Sequence, residues 1–143
     1  MNETRALATR QTLTPKTWEM IQSVAPVMQK ARLFGVSSTE QAAAIMLKGH
    51  ELGIGLAASF EFIVVIQGKP SLVPRGALAL VLQSDLLEGM KVSDEPNACT
   101  VWMKRKGGLE YQLTYTLEQA QKAGLVKPNS AWESYGPNML RWR

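Results

Sequence analysis

The residues with usable chemistry in this chain are cations and rings. In the last third, Trp102, Tyr111, Tyr115, Trp132, Tyr135 and Trp142 alternate with Lys104, Lys106, Lys122, Lys127, Arg141 and Arg143. Aromatic faces take unpaired bases, and flanking cations follow the phosphates between them. That composition fits a single-stranded nucleic acid. The charge is divided to match: residues 1–95 carry nine Lys+Arg and nine Asp+Glu, whereas 96–143 carry seven and three, and so hold all of the +4. An excess confined to one segment points to a polyanionic partner.

Other chemistries lack their parts. Nucleophilic catalysis needs a nucleophile, a base and an orienting group together, yet the chain has one histidine, His50, on a helix and one cysteine, Cys99, in a strand. The same count leaves no Cys/His metal site and no disulfide framework. His50 reads as a structural or solvated histidine, and Cys99 as a small strand hydrophobe. Gly53-Ile54-Gly55 follows a helix rather than a strand and lacks GK[ST], so it is no phosphate loop. The reading is a non-enzyme without cofactor or metal, an enzyme with an unrecognised pocket being the weakest alternative. No apolar run is long enough for a membrane span and MNETRALATRQT has no apolar centre, so the expected location is cytoplasmic, with no membrane partner.

The elements that must position these residues are readable in part. With 143 residues, 45% of them hydrophobic, the chain should form one domain: a loose polar arm over 1–13, then a single α+β core over 14–143. Thr14-Pro15 caps a helix whose stripe is Trp18, Ile21, Ala25 and Met28, with Pro26 expected to kink or shorten it. Ser38 with Gln41 forms a capping box for a second helix through Ala42, Ile45, Met46, Gly49 and Leu52, stopped by Gly53. Glu51 opposes that helix's dipole, an effect that Lys48 three residues back offsets, and a pairing role in the fold or at a subunit contact is its expected reason. Phe60–Ile66, the turn Gln67–Pro70 and Ser71–Val73 form a β-hairpin, followed by a helix from Pro74 towards Asp85.

From Leu86 to Tyr115 the period is two, with turns at Asp94–Asn97 and Gly107-Gly108, which predicts a three-stranded antiparallel meander. A two-residue Gly-Gly loop sets Lys104 opposite Tyr111 and Trp102 opposite Leu113 on the core face, and Arg105 opposite Glu110 on the other. Arg105 is then neutralised, leaving Lys104 and Lys106 as the freer charges. Trp102, Tyr111 and Tyr115 occupy core positions in this pattern, while Trp132 and Tyr135 stay open between core and groove. Thr116 caps a short helix ended by Gly124. A last helix starts at Pro137 and reaches Arg143 uncapped, the expectation being a core that is C-terminally incomplete.

Three stretches together resemble the RecT-type phage recombinases, proteins that anneal complementary single strands without ATP. The first is Gly49-His50-Glu51-Leu52-Gly53-Ile54 followed by the hairpin Phe62–Leu72. The second is Ala77-Leu78-Ala79-Leu80-Val81. The third is Ala120–Leu125, then Trp132 with Tyr135, then Met139-Leu140-Arg141-Trp142-Arg143. Order and spacing agree over about residues 18–143. The sequence departs from the family where Gly136 stands in place of the proline after Tyr135.

The resemblance implies an annealing core that assembles into rings or filaments, binds single-stranded DNA in a basic groove, and works beside a partner exonuclease. On that reading Lys104, Lys106, Lys122, Lys127, Arg141 and Arg143 contact the backbone, Lys69 and Arg75 extend the track, and Trp132 and Tyr135 organise the groove. The rival is a protein-interaction or assembly module that recruits replication or recombination partners without touching DNA.

Overall fold

The computed structural model describes residues 11–142. Among these it has seven α-helices and two antiparallel sheets, of two and three strands. The α+β class expected from the sequence is present. No helix of the described residues is long and apolar enough to cross a membrane. The chain divides into two compact units, Met1–Leu80 and Val81–Arg143.

In the first unit, α1 (Pro15–Lys30) opens on Thr14, whose Oγ1 accepts from the Thr17 N–H at 3.1 Å. The helix runs through Pro26 to Lys30 rather than stopping there. The carbonyl that the proline leaves unbonded belongs to Gln22, an exposed residue that water can satisfy. Ile21 and Ala25 are fully buried, but Trp18 at the head of the expected stripe is exposed.

The helix α2 (Thr39–Glu51) opens on Ser38, whose Oγ accepts from Gln41 N–H at 3.0 Å. Gln41 Oε1 accepts from Ser37 N–H and Oγ, so the reciprocal half of the box has moved back one residue. Gly53, at φ 74°, ends the helix, and the N–H of Ile54 returns to Gly49 O at 2.8 Å. Gly49 is required for a different reason. A Cβ there would overlap the side chain of Ser59, a fully buried residue whose Oγ donates to Gly55 O at 2.9 Å. Among the described residues no cation pairs with Glu51, which is exposed, so the expected pairing within the fold is not found there, Lys48 makes no ion pair with it, and water screens its opposition to the dipole.

Phe60 and Phe62, expected at the start of a strand, instead lie in the helical turn α3 (Ser59–Phe62) that packs on α2. The strand β1 is therefore shorter, Ile63–Ile66, and pairs with β2 (Lys69–Leu72) through a two-residue turn. Gln67 and Gly68 both have positive φ, 50° and 75°, as this turn requires. The core of this unit is Ile21, Ala25, Val36, Ala42, Ile45, Met46, Phe60 and Ile63. The helix α4 (Pro74–Gln83) follows.

The second unit is built on β3 (Leu87–Glu95), β4 (Ala98–Arg105) and β5 (Glu110–Thr116), in the order β3-β4-β5. The expected meander is present, but its second register is not. Lys104 pairs with Glu110 and Trp102 with Gln112, one residue away from the expected alignment. The cause is the loop: Arg105 N–H bonds Leu109 O at 3.3 Å, so three residues, Lys106, Gly107 and Gly108, span the turn rather than two.

A one-residue slip turns every β5 side chain to the other face. Cys99, Val101 and Met103 now share a face with Tyr115, Leu113 and Tyr111, while Trp102 lies on the opposite side over Gly89. The helices α5 (Leu117–Lys122), α6 (Ala131–Ser134) and α7 (Gly136–Trp142) cover the Cys99–Tyr115 end of that face. Thr116 caps α5 in a full capping box with Gln119.

Candidate nucleic-acid interface

The register decides which cations are available. Lys104 Nζ lies 2.7 Å from Glu88 Oε1 and 4.0 Å from Glu110 Oε1. Glu88 sits at the β-bulge between Leu87 and Gly89, where the extra residue brings its carboxylate alongside. The hydrogen bond and charge of Glu88 push the Lys104 ammonium above its ordinary value of 10.5. Two carboxylates around one ammonium leave the spot with a net negative charge, which repels a phosphate. The expectation that Lys104 is free and Arg105 neutralised by Glu110 is therefore reversed.

Arg105 and Lys106 are exposed, and no carboxylate of the described residues lies within ion-pair distance of either. Together with Gly107, Gly108, Leu109 and Tyr111 they line an open concavity of about 350 Å³ at the hairpin tip. Gly107, at φ 63°, makes the turn possible. Tyr111 is 67% exposed because α5, α6 and α7 do not reach this end of the sheet. The tip thus holds two cations and a ring around a recess.

The remaining sequence-derived positions are dispersed. Lys122 Nζ pairs with Glu118 at 2.7 Å, one helical turn back. Arg141 Nη1 pairs with Asp94 Oδ2 at 3.0 Å, and Asp94 Oδ1 in turn accepts from Cys99 Sγ at 3.4 Å, which fastens α7 to the sheet. Burial, then this hydrogen bond, pushes the Cys99 thiol above its ordinary 9.0. Lys127 is exposed without a paired carboxylate among the described residues.

Trp132 is a core residue, packed with Cys99, Ala120 and Leu140, so its ring has no face to offer a base. Tyr135 and Trp142 are exposed. Arg143 lies outside the described residues. In the first unit Lys69 is exposed at the β1–β2 turn, and Arg75 Nη2 donates to Glu61 O at 2.9 Å.

Arg105 and Tyr111 are the tip residues that sequence reasoning missed, since both depend on the register. The Lys122 pair was readable, because Glu118 precedes it by four positions. His50 is partly buried and its Nε2 has no hydrogen-bond partner among the described residues, but no group of three or more His, Cys, Asp or Glu gathers there or elsewhere among them. No protein-family model matches the chain, and no curated protein matches it.

Proposed function

We propose that this protein binds single-stranded DNA and anneals complementary strands without ATP, the activity that its resemblance to RecT-type recombinases implies. The observation that supports this most is the tip of the β4–β5 hairpin, where Arg105 and Lys106, free of carboxylates among the described residues, stand beside an exposed Tyr111. A phosphate settles between the cations, and a neighbouring base covers the ring. No bond is broken. Annealing is accelerated by concentrating two strands and holding their bases unstructured.

Few cations per protomer mean weak binding by one copy, so the proposal includes homo-oligomers, as rings or filaments, that add contacts along a strand. It also places the protein in the cytoplasm, beside a partner exonuclease. The test is a stopped-flow annealing assay with two complementary labelled oligonucleotides. The expected result is a rate well above the spontaneous one, without nucleotide, that falls in the R105A/K106A variant; a rate equal to the spontaneous one rejects the proposal.

The assembly-module reading has one observation of its own. On the edge strand β5, Tyr111 and Leu113 are 67% and 74% exposed on one face, in line with the exposed Leu109. An apolar strip on an unpaired edge is a site for another protein's strand. If R105A/K106A oligomerises normally and wild type binds no DNA, this reading replaces the first.

A further inference from the structure

The loop between α1 and α2 carries an aromatic residue in a conformation that ordinary packing does not explain. Arg32 and Phe34 both have left-handed backbone, φ 52° and 56°, and Gly35 follows at φ 69°. Only glycine adopts this region without strain, and a bulky aromatic residue there is an outlier. Burial does not compensate, because Phe34 is 56% exposed and Leu33 48%. The strained backbone holds a large ring out in water.

That ring is also supported from below. Phe34 stacks on Phe60, with centroids 5.4 Å apart and planes 19° from parallel, and Phe60 is itself a buried core residue. One face of Phe34 is thus covered by the core, and the other is open. Lys30 and Arg32, both exposed, precede it in the chain by four and two positions, and no carboxylate of the described residues pairs with either. A supported ring with an exposed face, two and four residues after two unpaired cations, matches an unpaired base and its phosphate.

We infer that Phe34 is a base-stacking platform for single-stranded DNA, with Lys30 and Arg32 holding the adjoining phosphates. An apolar protein surface would leave both cations without partners, so their charge selects a polyanion. The inference rests on the DNA-binding reading above but uses none of the residues at the β4–β5 tip.

The test compares wild type, F34L and F34Y in binding a fluorescein-labelled oligothymidylate and an abasic strand of the same length, with photocrosslinking of wild type to a 5-iodouracil strand. F34L keeps an apolar side chain on Phe60 and removes the aromatic face. The expected result is binding about tenfold weaker for F34L on oligothymidylate, close to wild type for F34Y, and no difference between variants on the abasic strand. The crosslink should map to Phe34. Wild-type binding that F34L leaves unchanged, with crosslinks elsewhere, overturns the platform while the DNA-binding reading stands. Undetectable wild-type binding overturns both. If F34L fails to fold, the wild-type crosslink decides.

Discussion

Lys104 and Arg105 are adjacent in sequence and opposite in fate. A strand sends neighbouring side chains to different faces, and here one face carries Glu88 and Glu110 while the other carries none within ion-pair reach of Arg105 among the described residues. Replacing Arg105 with alanine should therefore lower the salt slope of DNA binding by about 0.7, the share of one phosphate contact, and K104A should leave it unchanged. Titration against salt by fluorescence polarisation reads both; equal losses for the two variants would contradict the structural assignment. Cys99 gives a separate expectation at high pH. Its folded thiol is raised above 9.0 by burial and by Asp94, so the unfolded chain loses its proton first. Stability attributable to this group is intact below pH 9 and is lost as pH rises through the folded value. Urea unfolding at pH 8 and pH 10 should show a loss that C99A lacks.

At the scale of elements, packing accounts for two glycines that the sequence presents as one motif. Gly53 ends α2 through its positive φ, whereas Gly49 lets Ser59 approach the helix. Overpacking a buried contact costs about 1–3 kcal/mol, so G49A should destabilise by that amount. The double variant G49A/S59G should be less destabilised than the sum of the singles, because the overlap is gone. Thermal melts of the four proteins check this, and strict additivity would contradict it. Helix starts were legible because a cap is a local affair: Thr14, Ser38 and Thr116 each bond the N–H three residues on. Register was not. Gly107-Gly108 looks the same as a two-residue loop or as part of a three-residue one, and the choice inverts β5 and with it the candidate site. The turn α3 was hidden by the β-branched run after it, since only the tertiary contact of Ser59 with Gly49 marks where the strand cannot begin. Trp132 carried no sequence signal separating core from groove; its place beneath the sheet follows from which end of the β3–β5 face the last helices cover.

For the molecule as a whole, several of the cations behind the +4 charge are already engaged. Lys104, Lys122 and Arg141 are each engaged by a carboxylate, whereas the hairpin tip in one unit and the Phe34 loop in the other hold cations and rings without a paired carboxylate among the described residues. Under the proposed function a protomer with so few free contacts would gain affinity by association, and the exposed strip on β5 is the surface to test for it. Placing a charge on it, L113E, should reduce the oligomer seen by light scattering and weaken DNA binding without lowering the melting temperature, since Leu113 is 74% exposed. A variant that still assembles would move the contact elsewhere. Under the proposed function this chain grips single strands through their phosphates. The most direct test is the binding constant of wild type for a labelled oligothymidylate measured across a range of salt concentrations. The expected result is a straight fall of log K with log salt, with a slope of about −0.7 for each phosphate neutralised. Binding that is absent at low salt, or that does not change with salt, would contradict it.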